Sequence, residues 1–523
     1  MTSPQSEISV VPPPASDVTK ALPGRFRLNV ATNYGRTVLA IGVSLIVTPI
    51  MVHGLGKTEY GIWVLVGSTV LYLDLFNLGF GRATVKYVAE YHALGNAELV
   101  RRTIATSFLV LAVPGVIALG CGVGLAFLFP AIFHIPGRLE GTATVLVLLV
   151  VFDLVVSIPG DTFGSTLIAL QRYDLLNATL VTVTFAQAVA WVVIVETGGG
   201  LIALGVATIA LSLAGQFARY LLVRKLVPGV SIAPRLFDRA FVRPLARLSG
   251  WIAVTDVSGF VIARIDTIIV GIVVSVPAAA VYAVGQKLAL LAGRAVSPAV
   301  ETLFPFASER AAQGDRAALT RMVSVGTRLS VALALPTATA LITLATPVLR
   351  AWVGPQFTHA ALVVALLAGA TAITALTDPS VFVLRGVGEA RATALFVALE
   401  AVLNLSLSIG LGLWFGITGV AAGTFAAAAI VHLGGFLPYV CRRFGIPLVS
   451  LLVSLLRAHG PAVLVAVAVA VAARRAGLHG LAVVCLAGAA VVVAYLAVFV
   501  AVGLTSDERR YLFARARRRL DAV

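Results

Sequence analysis

The sequence predicts an all-α polytopic membrane protein of about fourteen transmembrane helices, counted by the length and interruption of its apolar runs. Composition comes first: of 523 residues, 59% are hydrophobic and only 12% charged. Mean hydropathy is +1.00, far outside the soluble globular range. Runs of roughly 20 apolar residues, enough to cross about 30 Å of hydrocarbon, recur from Tyr34 to Gly503 with short polar breaks. Segments such as Val145 to Val156 are continuously apolar. Strands of a membrane barrel would instead alternate over about ten residues.

In chain order the spans run from Asn33 to Val52, Tyr60 to Phe80, Thr103 to Leu128, Thr142 to Leu170, Ala178 to Val195 and Leu201 to Val223. Trp251 to Val274, Ala280 to Phe304, Thr327 to Leu349, Ala360 to Leu384, Ala392 to Trp414 and Gly416 to Tyr439 follow. A thirteenth, ending near Ala473, is cut by Arg457 and His459 and reads as an interfacial helix leading into a short span; the last is Leu481 to Gly503.

Basic residues set the orientation, because positive loops stay on the cytoplasmic side. A cytoplasmic N-terminus places Arg82, Lys86, Arg101, Arg102, the middle loop from Arg224 to Arg247, Arg310, Arg316, Arg321, Arg442, Arg443 and the tail from Arg509 to Arg519 inside. Lys57, Arg138, Arg350, Arg474 and Arg475 are left outside. With the N-terminal arm and the remaining cytoplasmic-side residues such as Arg172, Arg385 and Arg391 added, the count is roughly 29 against five, and both termini come out cytoplasmic. The net charge of +16 is thus mostly topological, a grip on anionic membrane lipid that requires no nucleic acid. Met1 to Arg27, with Pro12-Pro13-Pro14 and little apolar content, reads as a disordered arm and not as a signal peptide.

Gly56-Lys57-Thr58 mimics the end of a phosphate-binding loop. The first glycine of GxxxxGK[ST] is replaced by Met51, and the flanks are membrane helices rather than a strand. The stretch reads instead as a tight outer hairpin, turned by Gly54 and Gly56, with Tyr60 re-entering at the aromatic belt. Cys121, Cys441 and Cys485 show no metal or redox spacing and are assigned to packing; no cofactor or metal is expected.

An internal echo organises the chain. Tyr87 to Arg102 is repeated by Pro305 to Arg321, Glu90 matching Glu309 and Gly95 matching Gly314; Tyr60-Gly61 meets Tyr282-Ala283, and Asn177 meets Ala392. An even number of helices per half makes these parallel repeats about an axis along the membrane normal. The expected organisation is an arm (1–28), an N-terminal six-helix half (29–223), a basic cytoplasmic linker (224–248), a C-terminal six-helix half (249–440), two extra helices (441–504) and a basic tail (505–523).

"LGKTEYGIWVL", "LDLFNLGFGRATVKYVAEYHALGN" and "RIDTIIVG" resemble the polysaccharide transporter branch of the multidrug/oligosaccharidyl-lipid/polysaccharide exporter superfamily, which includes O-antigen and teichoic-type flippases. The resemblance covers roughly Asn33 to Val440. It implies a V-shaped bundle in a bacterial plasma membrane. Its cargo would be a polyprenyl-pyrophosphate-linked oligosaccharide carried from inner to outer leaflet, with other polysaccharide-export proteins as partners.

The residues are consistent with such cargo on their own terms. Ionisable side chains at membrane depth cost at least about 2.5 to 3.5 kcal/mol on insertion scales, so they face protein or water and carry function. Lys287, Arg294 and Glu301 fall seven apart, one stripe of about 21 Å on a continuous helix and a cationic ladder suited to pyrophosphate. The competing reading is that they pair with acids on neighbouring helices and lock the bundle. Arg264 and Asp266, two apart, face different ways; Asp266 shares a stripe with Thr255 and Ser258, and Arg264 is either a second phosphate ligand or a carboxylate's partner. Arg36 accompanies Asn33, Thr37, Ser44 and Thr48 along the first span, unless it snorkels to the interface. Thr371, Thr374, Asp378 and Arg385 share a face kinked at Pro379, and Asp153 and Asp161 bracket Pro159. These carboxylates are candidates for a coupling proton or Na⁺, or for interhelical hydrogen bonds; Asp74 and Glu400 are assigned structural roles.

Two other function classes compete. A drug or cation antiporter would want carboxylates in the lumen, whereas the first span offers Arg36 and no acid. An integral-membrane glycosyltransferase or polymerase would need sizeable extramembrane loops, and no HExxH, nucleophile elbow or metal cluster occurs. The expected protein is a carrier and not an enzyme.

Overall fold

The computed structural model describes residues 23–77, 80–238, 250–294 and 296–504, and no strand occurs among them. The arm as far as residue 22, residues 239–249 of the basic linker and the tail 505–523 lie outside the described residues. The helices are α1 (Pro23–Val70), α2 (Phe80–Ala93), α3 (Ala97–Ile132), α4 (Gly137–Ala169), α5 (Tyr173–Glu196) and α6 (Gly200–Leu226). The second part of the chain forms α7 (Gly250–Val273), α8 (Val276–Ala289), α9 (Val296–Glu301), α10 (Leu303–Ala312), α11 (Arg316–Trp352), α12 (Ala361–Thr374), α13 (Asp378–Gly386) and α14 (Ala390–Ala428). A π-helical turn (Ala429–Phe436) leads into α15 (Leu437–Arg443), α16 (Leu448–Arg475) and α17 (Leu481–Val498).

Ten helical stretches among the described residues are long and apolar enough to cross a membrane. Two of the longest double back. In α1, Gly56 adopts φ 73° and ψ 174°, and Thr48 and Tyr60 lie within 3.1 Å of one Lys287 ammonium. A straight helix would hold those two positions about 18 Å apart, so the chain reverses at Gly56. In α14, Gly416 (φ 60°) reverses the chain, and Asn404 on one arm donates to Thr424 on the other at 2.9 Å. Only a residue without a Cβ takes these left-handed conformations freely. Gly54, expected in the first turn, instead packs against Val195 of α5, where a Cβ would collide. The weak thirteenth span is a continuous helix: α16 runs through Arg457 and His459, and the His459 ring stacks on Phe499 at 4.9 Å and bonds the Tyr495 hydroxyl at 2.7 Å.

The sequence echo has a local structural meaning. Gly95 (φ 69°) and Gly314 (φ 70°) each end a short amphipathic helix, α2 and α10. Asn96 then caps α3 by accepting from the Leu99 amide at 3.0 Å, as Asp315 caps α11 by accepting from the Ala318 amide at 2.9 Å. Capping side chains of this type satisfy amides that the first turn leaves without partners. At the start of α3, Glu98 also bridges Arg101 and Arg102, whose guanidinium hydrogen bonds hold its carboxyl below the usual range.

Packing divides unevenly along the long axis. At the Gly56 end, Met51, Tyr60, Leu65, Phe129 and Phe133 of the first half share one core with Val276, Tyr282, Trp352 and Phe357 of the second. The seam is tight there: the Trp352 indole donates to the Leu45 carbonyl at 2.7 Å, Lys57 sits over the Phe357 ring, and Gly61 leaves no room for a Cβ against the Val276 carbonyl. At the opposite end the halves keep separate cores. Val88, Val100, Ile104, Phe163, Leu167 and Val223 form one, and Ala307, Leu319, Val323, Val383, Leu384 and Phe436 the other. The halves therefore share a core at the hairpin end and keep separate cores at the end bearing Arg101, Arg102, Arg310 and Arg321, with Tyr72 and Phe260 still meeting between them, centroids 5.1 Å apart. Residues 448–503 pack on α11 through Ala458, Ala462, Ala466, Val491 and Tyr495, a third unit outside the seam.

Candidate functional site

Between the two halves lies a cavity of about 320 Å³, walled by Arg36, Thr37 and Ser44 of α1, Thr184 of α5, and Lys287, Leu291 and Arg294. It continues into a second space of about 160 Å³ that shares Ala40, Ser44, Thr184 and Lys287 and ends on Tyr60, Trp63, Gln187 and Trp191. Neither wall contains a carboxylate.

Lys287 is the pivot of the site. Its ammonium donates to Thr48 Oγ1 at 3.0 Å and Tyr60 Oη at 3.1 Å, and lies 5.7 Å from the Tyr60 ring centroid. Among the described residues no acid forms an ion pair with it, so the bundle-locking alternative lacks its partner. Tyr60 is 1% exposed, buried against Lys287 and not at an aromatic belt. Arg294 is exposed to the cavity, and Arg36 keeps its Nε buried without a hydrogen-bond partner. Asn33, the first member of the α1 polar stripe, accepts from Asn177 Nδ2 at 3.0 Å and so ties α5 to α1.

The ladder itself is not one stripe. The helix stops at Ala289, passes through a 3-10 turn (Leu290–Ala292) and resumes only at Val296. Pro298 contributes to this, because it lacks the N–H that a continuous helix would donate to the carbonyl four residues earlier. Lys287 and Arg294 still reach the same cavity, whereas Glu301 ends the separate short helix α9, exposed and away from both cavities. Arg264 is exposed and close enough to act electrostatically on Tyr72 of the first half, yet lines neither cavity.

The acids gather elsewhere. A cavity of about 400 Å³ inside the second half is lined by Asp266, Gln286, Thr371, Thr374, Asp378, Glu400, Thr424 and His432. Asp266 is 1% exposed and accepts from Tyr282 Oη and Thr424 Oγ1, both at 2.7 Å. His432 Nε2 lies 3.1 Å from Glu400 Oε2, and its Nδ1 is 2.5 Å from Thr377 Oγ1. Glu400 is thus a member of this polar cavity. Thr371, Thr374 and Asp378 converge here across a break at residues 375–377, but Arg385 turns away to stack on Phe382. In the first half, Asp161 stands near Asp74 and Arg219, and Asp153 stands near Ser212 with its Oδ1 buried and without a hydrogen-bond partner; neither lines the central cleft. Cys441 is buried as a packing residue, while Cys121 and Cys485 are exposed.

Sequence reading passed over Trp63, Thr184, Gln187, Trp191, Thr424 and His432. A polar or aromatic residue inside an apolar span was the available signal, but its facing depends on how the halves meet.

The model of a family described as polysaccharide biosynthesis protein matches residues 50–362. The uncharacterized membrane protein EpsK of Bacillus subtilis (strain 168) is 22% identical over 406 residues, covering 74% of this chain and 77% of its own. Among solved structures, an inward-facing multidrug resistance MATE family transporter of the MOP superfamily superposes with a TM-score of 0.69 at 13% identity, over 77% of this chain and 94% of that one. The lipid II flippase MurJ, in an inward closed conformation, gives 0.67 at 12% identity over 90% and 98%. These two likenesses are of fold. With the family model covering more than half its length, the chain belongs to the polysaccharide biosynthesis protein family, and its apolar helices make it a multi-pass membrane protein.

Proposed function

We propose that this protein flips a polyprenyl-pyrophosphate-linked oligosaccharide from the inner to the outer leaflet of a bacterial plasma membrane by alternating access, for cell-surface polysaccharide. The observation that carries the reading is the central cleft: three cations, Arg36, Lys287 and Arg294, on an interface between two halves, with no carboxylate among them. Pyrophosphate is a doubly charged anion that must leave water to cross, and Arg and Lys donors in a partly desolvated cleft replace its hydration. The end at which the halves keep separate cores is the one rich in Arg and Lys, so by the positive-inside rule the cleft would open to the cytoplasm, where the lipid-linked precursor is loaded. Repeats at 29–223 and 249–440 supply the two rocking bodies, and the seam around Trp352, Leu45, Gly61 and Val276 is the gate that must part on the other side.

Each negative charge moved outward gains about 2.3 kcal/mol per 100 mV of inside-negative potential, so two charges gain roughly 4 to 5 kcal/mol. ATP is then unnecessary. Asp266, Asp378, Asp153, Asp161 and Glu301 lie outside the cleft wall and enter this reading only as coupling or hydrogen-bonding groups. The antiporter alternative would place its cation on carboxylates, which here line the cavity of the second half and not the route between halves.

The test is translocation of a labelled polyprenyl-pyrophosphate sugar in liposomes, comparing wild type with Arg294→Ala and Lys287→Ala. The reading expects transport by wild type and a loss of at least tenfold in each variant; wild-type rates in both would remove these residues from the cargo path.

A further inference from the structure

We propose that the inner end of the cleft is a sugar-binding subsite, in which Trp63 and Trp191 receive the first sugar of the cargo while Lys287 holds the adjoining pyrophosphate. This rests on the flippase reading and adds to it an order along the cleft.

The chemistry of the wall changes abruptly at Lys287. On one side stand the guanidinium groups of Arg36 and Arg294. On the other there is no further cation: Tyr60, Trp63 and Trp191 share the wall with the uncharged polar groups of Ser44, Thr48, Thr184 and Gln187 and with apolar side chains such as Val43, Val47 and Met51. The two indoles meet edge to face, centroids 5.5 Å apart and planes at 81°, so they form a corner and not a flat stack. Trp191 is held from behind: its Nε1 donates to Thr208 Oγ1 at 2.9 Å, which turns the N–H away and leaves ring surface toward the cavity. Gln187 is held likewise, its Nε2 reaching the Thr208 carbonyl at 3.3 Å, so its Oε1 remains as an acceptor.

An aromatic corner beside a few neutral polar groups is what a pyranose ring requires. Its axial C–H face is apolar and faintly positive and lies against the negative face of an aromatic ring, while equatorial hydroxyls need neutral donors and acceptors at the rim. A prenyl chain in the same place would strand Ser44, Thr184 and Gln187 without partners. Connectivity agrees, because the first sugar is bonded directly to the pyrophosphate and Lys287 borders both spaces. The volume, about 160 Å³, suits one sugar ring and not a bulky chain.

The test is equilibrium binding to the full-length protein in nanodiscs. One probe is a polyprenyl pyrophosphate; the others are the same lipid carrying a single hexose or N-acetylhexosamine. At least one glycosylated probe should bind about tenfold or more tightly than the bare lipid. Trp63→Leu and Trp191→Leu should each weaken that probe about three- to tenfold, leave the bare lipid unchanged, and so report their own correct folding; Trp191→Phe should recover most of the loss. Equal wild-type affinity for all probes, or tryptophan variants that weaken bare and glycosylated lipid alike, overturns the subsite and leaves the flippase reading standing. Failure of wild type to bind any of these lipids overturns both.

Discussion

Replacing Lys287 by Met separates a cargo-binding role from a structural one. The ammonium has three N–H donors, two of them spent on the hydroxyls of Thr48 and Tyr60 at 3.0 and 3.1 Å. The third is left for an anion. A charge-assisted hydrogen bond is worth about 1.5 to 3 kcal/mol, so Lys287→Met should weaken binding of a lipid pyrophosphate about ten- to 150-fold. Stability should suffer little, because Met matches the length of the stem and what remains are neutral hydroxyls rather than a stranded carboxylate. Glu400→Ala is the internal standard. It removes the acid 3.1 Å from buried His432, and stranding a buried hydrogen-bonding group costs about 1 to 3 kcal/mol. Thermal unfolding of both variants in detergent, alongside nanodisc binding of the bare lipid pyrophosphate, decides the matter. A Lys287→Met protein that unfolds as early as Glu400→Ala while keeping wild-type affinity would refute the argument.

Three further outcomes follow from the same geometry. Asp266→Ala leaves the Tyr282 hydroxyl without its acceptor, whereas Thr424 keeps the Val420 carbonyl at 3.3 Å, and should lower stability by about 1 to 3 kcal/mol, measured by thermal or denaturant unfolding; an unchanged transition would show that the network holds nothing. Gly61→Val drives a side chain into the Val276 carbonyl at the closed seam, so it should populate the conformation parted at that end. Spin labels on the two halves should then report a longer separation there than in wild type, and an unchanged distance would count against this seam as the gate. Finally, an inside-negative potential imposed on proteoliposomes should accelerate outward movement of a pyrophosphate-linked sugar and a reversed potential should slow it; indifference to both signs removes the electrical driving force.

Fold class was legible because it follows from local quantities: run length, hydropathy and the absence of alternation. The repeat was legible because Gly95 and Gly314 mark obligatory left-handed turns, which leave a trace in sequence even where identity has faded. The reversals at Gly56 and Gly416 fall where the sequence reading ended one span and began the next; the thirteenth span was harder to delimit, because α16 tolerates Arg457 and His459 where Tyr495 and Phe499 receive the histidine. The site was half legible. Lys287, Arg294 and Arg36 do meet in one cavity, but the continuous helix used to align them is broken after Ala289. Glu301 was misplaced for that reason. Trp63 and Trp191 escaped notice because an apolar span contains many aromatic residues, and only tertiary packing decides which of them face water.

The account requires a wet, positively charged space between two halves, and that can be measured without knowing the cargo. Ser44 lines both parts of the cleft, so Ser44→Cys, with Cys121, Cys441 and Cys485 replaced by serine, places one thiol at its centre. Potentials of a few kT should make an anionic methanethiosulfonate react at least about tenfold faster than a cationic one of similar size. Neutralising Arg36, Lys287 and Arg294 should collapse that ratio towards one. A thiol that reacts with neither reagent, or with both at the same rate in the presence of all three cations, would contradict the central claim.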